Sequence, residues 1–508
     1  MAVISIEKLF GGWAYANTAD VPVEGADDQM SRSDGPINLW RRNFIGHLAS
    51  GEVFTALTNE NTRVNELTIN GVIDSNSKVW SILKNGRVVR FDTTGAFADI
   101  VNGTFILGTA VTNADFYDII TYRDQNGTEW INWTYNYGSP DSKGDWARIR
   151  SDGVLLSFDE DFFSTLTGSG KLTTGVPLKL WQGPDGIIYS TNGRFVASHD
   201  PGTSSGNTAA FDLGAGWEAQ AGCLYGIYSA IACQTKPSNS SNIYASESRV
   251  YLWNGIDPTP DFRFDLEDYK VTTIINDNGI LLAFTGGRDN KTRVKALIGN
   301  RFITVMEHPS IGDPPKHGSV DKFRGMIHWI RPSSDNVMAL NSLSEGRYGL
   351  HHVMTASVLG GGGSSMLKNF TGSSLYAGNN PTGSTYEILK IDGNSFNTTP
   401  TFRSKLYTLP HDSRITKFII YFSQFGTGAE ITVRLMKDYD MASGANDLLK
   451  LNLKHSSLGQ IRSYTHHKKI EDINSFYFDI QFLPLISSST SAIIRKIEIY
   501  YEPTNKAS

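Results

Sequence analysis

The chain has 508 residues, 40% of them hydrophobic, which is enough for a large core and more than one domain. A formal net charge of −5 argues against a general nucleic-acid binder, which needs a basic face. Forty-nine glycines beside only 19% charged residues fit many tight turns and few solvated helical faces.

The first forty-two residues, including FGGWAYANTADVPVEG, are polar, turn-rich and poorly periodic. They read as an extended arm (1–42), laid over the body or docked on a neighbour, with a loose terminus as the alternative. MAVISIEKLFGGW lacks a basic segment followed by a long apolar run, so no secretory signal is expected. No stretch reaches the apolar length of a membrane span.

From about residue 43 to 395 the pattern is a turn followed by a short apolar or alternating run. Asn85-Gly86 leads into RVVRF, Asp152-Gly153 into VLLSF, Asp185-Gly186 into IIYST, and Asn278-Gly279 into ILLAF. Asn126-Gly127 and Asn254-Gly255 add two more turns. Asn-Gly and Asp-Gly supply the positive φ angles of hairpin turns, so each marks two strands folding back. Repeated hairpins with aromatic-rich strands predict an all-β, propeller-type body of about seven irregular blades at ~45–50 residues each. The frequent hairpins argue against a parallel β-helix, the competing all-β fold.

Glycine-rich loop signals fill residues 358–400, and alternation then becomes cleaner. ITKFIIYFSQF, EITVRLMKDY, SFYFDIQFLPL and AIIRKIEIYYEP read as strands of an antiparallel β-sandwich over 400–508. Phe476, Phe478, Ile480 and Phe482 would share one face.

Catalytic motifs are scarce. Asp124-Gln-Asn-Gly127-Thr-Glu-Trp130 resembles the Asp-box turn of sialidases and related propellers, with one extra residue and with Thr and Glu interchanged. That turn is structural wherever it occurs. Acidic residues crowd SFDEDFF (Asp159, Glu160, Asp161) and FRFDLEDY (Asp265, Glu267, Asp268), and read as strand-end or loop decoration. Adjacent His351-His352 and His466-His467 would point to opposite faces of a strand, so neither pair makes a metal site. His328 in GMIHWIRP reads as a core histidine. Gly360 to Gly363 has no phosphate-loop Lys-Ser/Thr, and residues 165–171 lack nucleophile-elbow spacing. Cys223 and Cys233, if on one strand, lie roughly 30 Å apart and cannot bridge, as expected for a protein made in a reducing cytoplasm. No cofactor, metal site or catalytic residue is expected, and the chain reads as non-enzymatic. Trp130, Trp133 and Trp146 are the candidate glycan or interface aromatics; the alternative is that such rings fill the core between blades.

The arm FGGWAYANTADVP, the runs KVWSILKNGRVVRFD, LWQGPDGIIYSTNG and FRGMIHWIRPSSDNVMAL, and the terminal RITKFIIYFSQFGTGAEITVRLMKD together resemble the propeller-containing virion proteins of tailed phages, of tail-nozzle, hub or neck type. The resemblance implies a structural or adaptor protein in the virion. It would contact other virion proteins, assemble as a homo-oligomer or ring, and carry no catalytic residues. A receptor- or glycan-binding virion protein facing a host surface glycan, and a sialidase-like glycoside hydrolase, stand as alternatives.

Overall fold

A computed structural model describes residues 1–7, 12–13, 29–34, 37–38, 48–50, 52–53, 55–56, 66–84, 86–92, 105–106, 114–137, 143–151, 159, 161–236, 246–309, 314–330, 336–342, 348–355, 365–372, 374–380, 386–391, 401–404, 406–437, 447–482 and 492–504. These residues are nearly all β, arranged in six small antiparallel sheets of three or four strands and one mixed sheet of 16 strands, each of them open.

Seven sheet units follow one another along the chain. The first begins with Thr68–Ile73, the second with Ala114–Arg123 and the third with Leu180–Gln182. The fourth, fifth, sixth and seventh begin with Trp217–Tyr225, Lys270–Asp277, Val320–Phe323 and Leu367–Asn369. In each unit successive strands pair antiparallel, as short hairpin turns require. The seventh is completed by Thr55–Ala56, which pairs with Glu387–Ile391.

The core lies between these sheets. Trp80, Ile82 and Val88 of the first meet Phe116, Ile131 and Trp133 of the second. Tyr122, Trp130 and Trp146 of the second meet Leu180, Ile188 and Ala197 of the third. The same interleaving joins the third to the fourth, the fourth to the fifth, the fifth to the sixth, and the sixth to the seventh. A further cluster joins Val79, Val89 and Phe91 of the first sheet to Met366, Tyr376 and Ile388 of the seventh. Central strands covered on both faces explain buried runs such as VWSIL (79–83) and LLAF (281–284), which alternation alone does not predict. Each fully buried Val, Leu, Ile or Phe in these runs contributes about 1.5–3 kcal/mol.

The turns are only partly those expected. Asn278 and Gly279 both have positive φ, 51° and 90°, as a two-residue type I′ turn demands. At Asn126-Gly127 only Gly127 does, because this turn spans four residues closed by Gly127 N–H on Asp124 O at 2.9 Å. Asn85 and the turn at 152–153 lie outside the described residues.

Residues 401–504 form the longest strands. Tyr407–Phe425 pairs with both Ser463–Phe482 and Ala492–Pro503, and Glu430–Lys437 pairs with Ser463–Phe482. Register shifts around Ser413 and Ile415, with a φ of 58° at Asp472 opposite, bend the long pair. Its two arms enclose one core that includes Phe418, Ile431, Val433, Phe476, Phe478, Ile480 and Phe482. Ala2–Glu7, the start of the expected arm, pairs antiparallel with Ala492–Pro503. Through short strands of residues 12–34 this sheet runs on into the sixth unit.

Among the described residues, no helix is long and apolar enough to cross a membrane.

Candidate functional site: a polar junction of the sheets

The first strands of the sheets converge on the turn His317–Ser319, which precedes the sixth unit and packs against Thr68–Ile73, Lys270–Asp277 and Leu367–Asn369. Gly318 permits this approach: a Cβ there would fall inside the van der Waals shell of Ile69's carbonyl oxygen. Thr272 Oγ1 donates to Pro315 O at 2.8 Å, and Ser319 Oγ donates to Ser365 O at 2.5 Å. Met366 N–H donates to Thr68 O at 2.8 Å, tying the seventh sheet to the first.

Asp118, 1% exposed, sits where these elements meet. Its Oδ1 accepts from Ile119 N–H at 2.9 Å and from the Asn70 side-chain amide. Its Oδ2 accepts from Leu180 N–H at 2.7 Å and lies 3.4 Å from His317 Nε2. His317 Nδ1 is 3.3 Å from Thr273 Oγ1. With the proton on Nε2, that N–H faces the carboxylate and Nδ1 accepts from the threonine hydroxyl. Burial pushes His317 down to about 4, Lys368 and Lys179 push the same way, and Asp118 opposes them. The ring is therefore neutral at pH 7. Lys179, next to Leu180, donates from Nζ to Tyr117 O at 2.6 Å. Burial lowers its pKa, Asp118 counteracts this, and Lys316 and Lys368 add to the lowering.

The expected aromatics are elsewhere. Trp133 and Trp146 have no exposed surface, and Trp130 is only 8% exposed. Trp130 and Trp133, three apart on one strand, face opposite sides and enter two different core clusters. Arg148 covers the Trp130 ring, its guanidinium carbon 3.9 Å from the centroid and 2.7 Å from Asp159 through Nε. No ring face is left for a sugar to stack on, so the three tryptophans serve as core. His328 is 1% exposed against Phe323.

Asp268 departs from its reading as decoration. It is 6% exposed, 3.0 Å from Arg293 Nη1 and 3.3 Å from Lys295 Nζ, and accepts from Thr285 Oγ1 at 2.6 Å. Asp161 accepts from Tyr135 OH at 2.8 Å; Glu160 lies outside the described residues, as do the side chains of His351 and His352. Cys223 and Cys233 are free, as expected, but lie on the two strands of one hairpin rather than on one strand. Burial raises both thiols, Cys223 to about 12. Among the described residues no three His, Cys, Asp or Glu side chains converge as metal donors.

A groove of about 540 Å³ between the second and third sheets is lined by Arg123, Glu129, Gln182, Asp185 and Asp200. On the fourth and fifth sheets, Leu224, Ile227, Ile256, Phe262 and Ile298 are exposed, Ile256 by 85% and Ile227 by 70%. Phe262 continues a row of rings through Tyr228, Phe264 and Phe302.

No family model matches the chain, and no curated protein matches it. Among solved structures it is similar to the PQQ-bound aldose sugar dehydrogenase of Streptomyces coelicolor, at 12% identity and a TM-score of 0.40, over 68% of this chain and 99% of that one. The exo-β-1,3-galactanase of Phanerochaete chrysosporium matches at 11% identity and a TM-score of 0.33, over 90% and 100%. The Dos1 propeller matches at 12% and 0.29, over 65% and 69%. Two of the three are enzymes, against the expectation that this chain is not one. At these scores the likenesses assign no activity. What stands is a nearly all-β arrangement of small open antiparallel sheets beside one large sheet among the described residues.

Proposed function

We propose that the seven sheet units are the blades of a β-propeller, that Thr55–Ala56 closes its last blade, and that residues 401–504 form an antiparallel β-sandwich. The successive inter-sheet cores, and the cluster joining the seventh sheet to the first, support this arrangement. The protein on this reading is a structural or adaptor component of a phage virion, of tail, nozzle, hub or neck type. It is made in the host cytoplasm and acts through contacts with other virion proteins or with further copies of itself.

The observation that carries the protein-contact part is the apolar rim of Leu224, Ile227, Ile256, Phe262 and Ile298. Exposed apolar residues scattered singly need no explanation, but five of them on two successive sheets, beside a row of packed rings that ends in exposed Phe262, support a contact surface. The layout resemblance supplies the virion part. Mass spectrometry of purified particles tests it: the chain should be present in a fixed copy number, and the Ile227→Asp/Phe262→Asp variant should be lost from particles while folding normally. Absence of the wild-type chain from particles would overturn the reading.

The groove lined by Arg123, Glu129, Gln182, Asp185 and Asp200 favours a second reading, a receptor-binding role toward a glycan, because carboxylates, amides and a guanidinium hydrogen-bond sugar hydroxyls. Glycan-array binding that Asp185→Ala or Asp200→Ala removes would support it, and a flat array would remove it.

A further inference from the structure

We propose that the side chains of Lys322 and Asn278 join in an autocatalytic isopeptide bond, with Asp277 as the proton carrier, and so stitch the first strands of the fifth and sixth units together.

The three side chains meet at the end of the strand Lys270–Asp277. Lys322 Nζ lies 2.6 Å from Asn278 Oδ1 and 2.8 Å from Asp277 Oδ1. Asp277 is 3% exposed, and the Lys322 side chain keeps 33% of its surface. Both reacting partners are held in place. Asn278 sits in the type I′ turn with a φ of 51°. The Lys322 N–H donates to Asp321 Oδ1 at 2.7 Å, and its carbonyl accepts from Asn369 Nδ2 of the seventh unit at 2.9 Å. An amine, a carboxamide and a carboxylate fixed within hydrogen-bond reach supply a nucleophile, an electrophile and a base. An ordinary lysine ion pair needs only the carboxylate. The amide carbonyl on the same ammonium sets this pair apart.

The reaction balances without an oxidant or a cofactor. The Lys322 ammonium gives a proton to the Asp277 carboxylate, and the neutral amine attacks Asn278 Cγ. The Nζ–Cγ bond forms and the Cγ–Nδ2 bond breaks. Asp277 passes protons from Nζ to the departing nitrogen, which leaves as ammonium. Lys322 loses two protons, Asn278 loses its nitrogen, and Asp277 ends as the carboxylate it began as. An Asn-Gly pair has a competing reaction, attack of the glycine nitrogen on Cγ to give a cyclic imide. Here the Gly279 N–H is held by Asn276 Oδ1 at 2.9 Å, which occupies that nitrogen within the turn. The bond joins residues 44 apart in sequence. It goes beyond the proposed virion role and does not depend on it, since it forms inside one chain.

Intact-mass spectrometry and a tryptic digest of the full chain test this. The wild-type mass should lie one ammonia below the mass its sequence requires, and the digest should yield a branched peptide joining the Asn278 and Lys322 segments. Lys322→Arg keeps a cation facing both oxygens but offers no amine nucleophile, so the full sequence mass should return. Asp277→Asn removes the proton carrier at nearly equal shape and should leave the chain unlinked. If Asp277→Asn fails to fold, Lys322→Arg still decides, because that side chain is partly exposed. A wild-type chain at full sequence mass, without the branched peptide, overturns the proposal. An ammonia loss that persists in Lys322→Arg also overturns it, because that is the signature of the cyclic imide at Asn278-Gly279.

Discussion

Trp130 donates its indole N–H to Asp124 Oδ2 at 2.9 Å, across a turn in which Asp124 Oδ1 also accepts from Asn126 N–H and Thr128 N–H at 2.9 and 3.0 Å. Fifty residues earlier, Trp80 donates to Asp74 Oδ2 at 2.8 Å, and Asn76 and Lys78 N–H donate to Asp74 Oδ1 at 2.9 Å each. The fourth residue of each turn has positive φ, Gly127 at 76° and Ser77 at 60°. One device thus locks the first hairpin of two successive sheets and orients a core tryptophan in each.

Asp124→Ala removes three acceptor contacts and strands a largely buried indole N–H. Each net hydrogen bond contributes about 0.5–1.5 kcal/mol, so a loss near 2–3 kcal/mol is expected in urea unfolding. Asp74→Ala should cost a similar amount, and more than Asp257→Ala in an exposed loop. Burial pushes the Asp124 carboxyl up, but its hydrogen bonds outweigh this and hold it below the usual range. Its contribution is present above the ordinary carboxylate range and is lost as pH falls through the lowered folded value.

His199 carries an acid-side dependence of its own. Its ring is 1% exposed, packed edge-on against Tyr122 and Phe162, with Nδ1 3.2 Å from Ser205 O. Burial depresses it to about 4, with Arg148 adding to the effect and the Ser205 carbonyl and Asp200 opposing it. The unfolded chain therefore binds this proton near pH 6.5 and the folded chain only near 4. Stability contributed by the neutral ring is complete above pH 6.5, declines as pH falls toward 4, and levels off below it. The difference amounts to about 3 kcal/mol. Chemical denaturation at pH 7 and pH 4.5 should show this decline in wild type and a smaller one in His199→Leu. Equal slopes would remove His199 as the cause.

The fifth sheet holds a buried charge group whose partners can be removed one at a time. Lys295 is 4% exposed and Asp268 6%, and Arg293 joins them. Asp268→Ala leaves a buried ammonium facing only the Leu266 carbonyl, and such broken pairs cost about 3–5 kcal/mol. Asp268→Ala/Lys295→Met should recover part of that loss, because it removes the stranded charge as well. A double variant no more stable than the single would show that Lys295 is not what Asp268 holds in place.

Much of this was legible in the residues. Asn278-Gly279 marked its turn because two adjacent positive φ angles admit few residue types. The alternation of Phe476, Phe478, Ile480 and Phe482 placed them in one core. The second Asp-to-Trp turn carried a readable signal, Asp74-x-Asn76-x-x-x-Trp80 matching Asp124-x-Asn126-x-x-x-Trp130, but Ser77 in the glycine position concealed it. The polar junction had no such signal. Asn70, Asp118 and Lys368 lie on first strands of three sheets, Lys179 just before a fourth and His317 on a turn, spread across about three hundred residues, and only the packing of those elements brings them together. Nor did local sequence separate Asp268 from its neighbours Asp265 and Glu267, since what distinguishes it is the approach of Arg293 and Lys295 from another strand.

Two glycines separate steric from conformational demand. Gly127 has φ 76° and open space where a Cβ would project, so Gly127→Ala meets only the left-handed backbone penalty, about 1–2 kcal/mol. Gly318 has an ordinary backbone, but its Cβ would strike Ile69's carbonyl oxygen and approach Asn70 Cβ to 3.2 Å. Backbone cannot rotate away as a side chain can, so Gly318→Ala must displace the turn that carries His317 and Lys316. Overpacking of this kind costs about 1–3 kcal/mol. It should also disturb the junction: the nuclear magnetic resonance shifts of the His317 ring should change in Gly318→Ala and stay fixed in Gly127→Ala. Unchanged His317 shifts in a destabilised Gly318→Ala protein would mean that the strand of Ile69 yields instead of the turn.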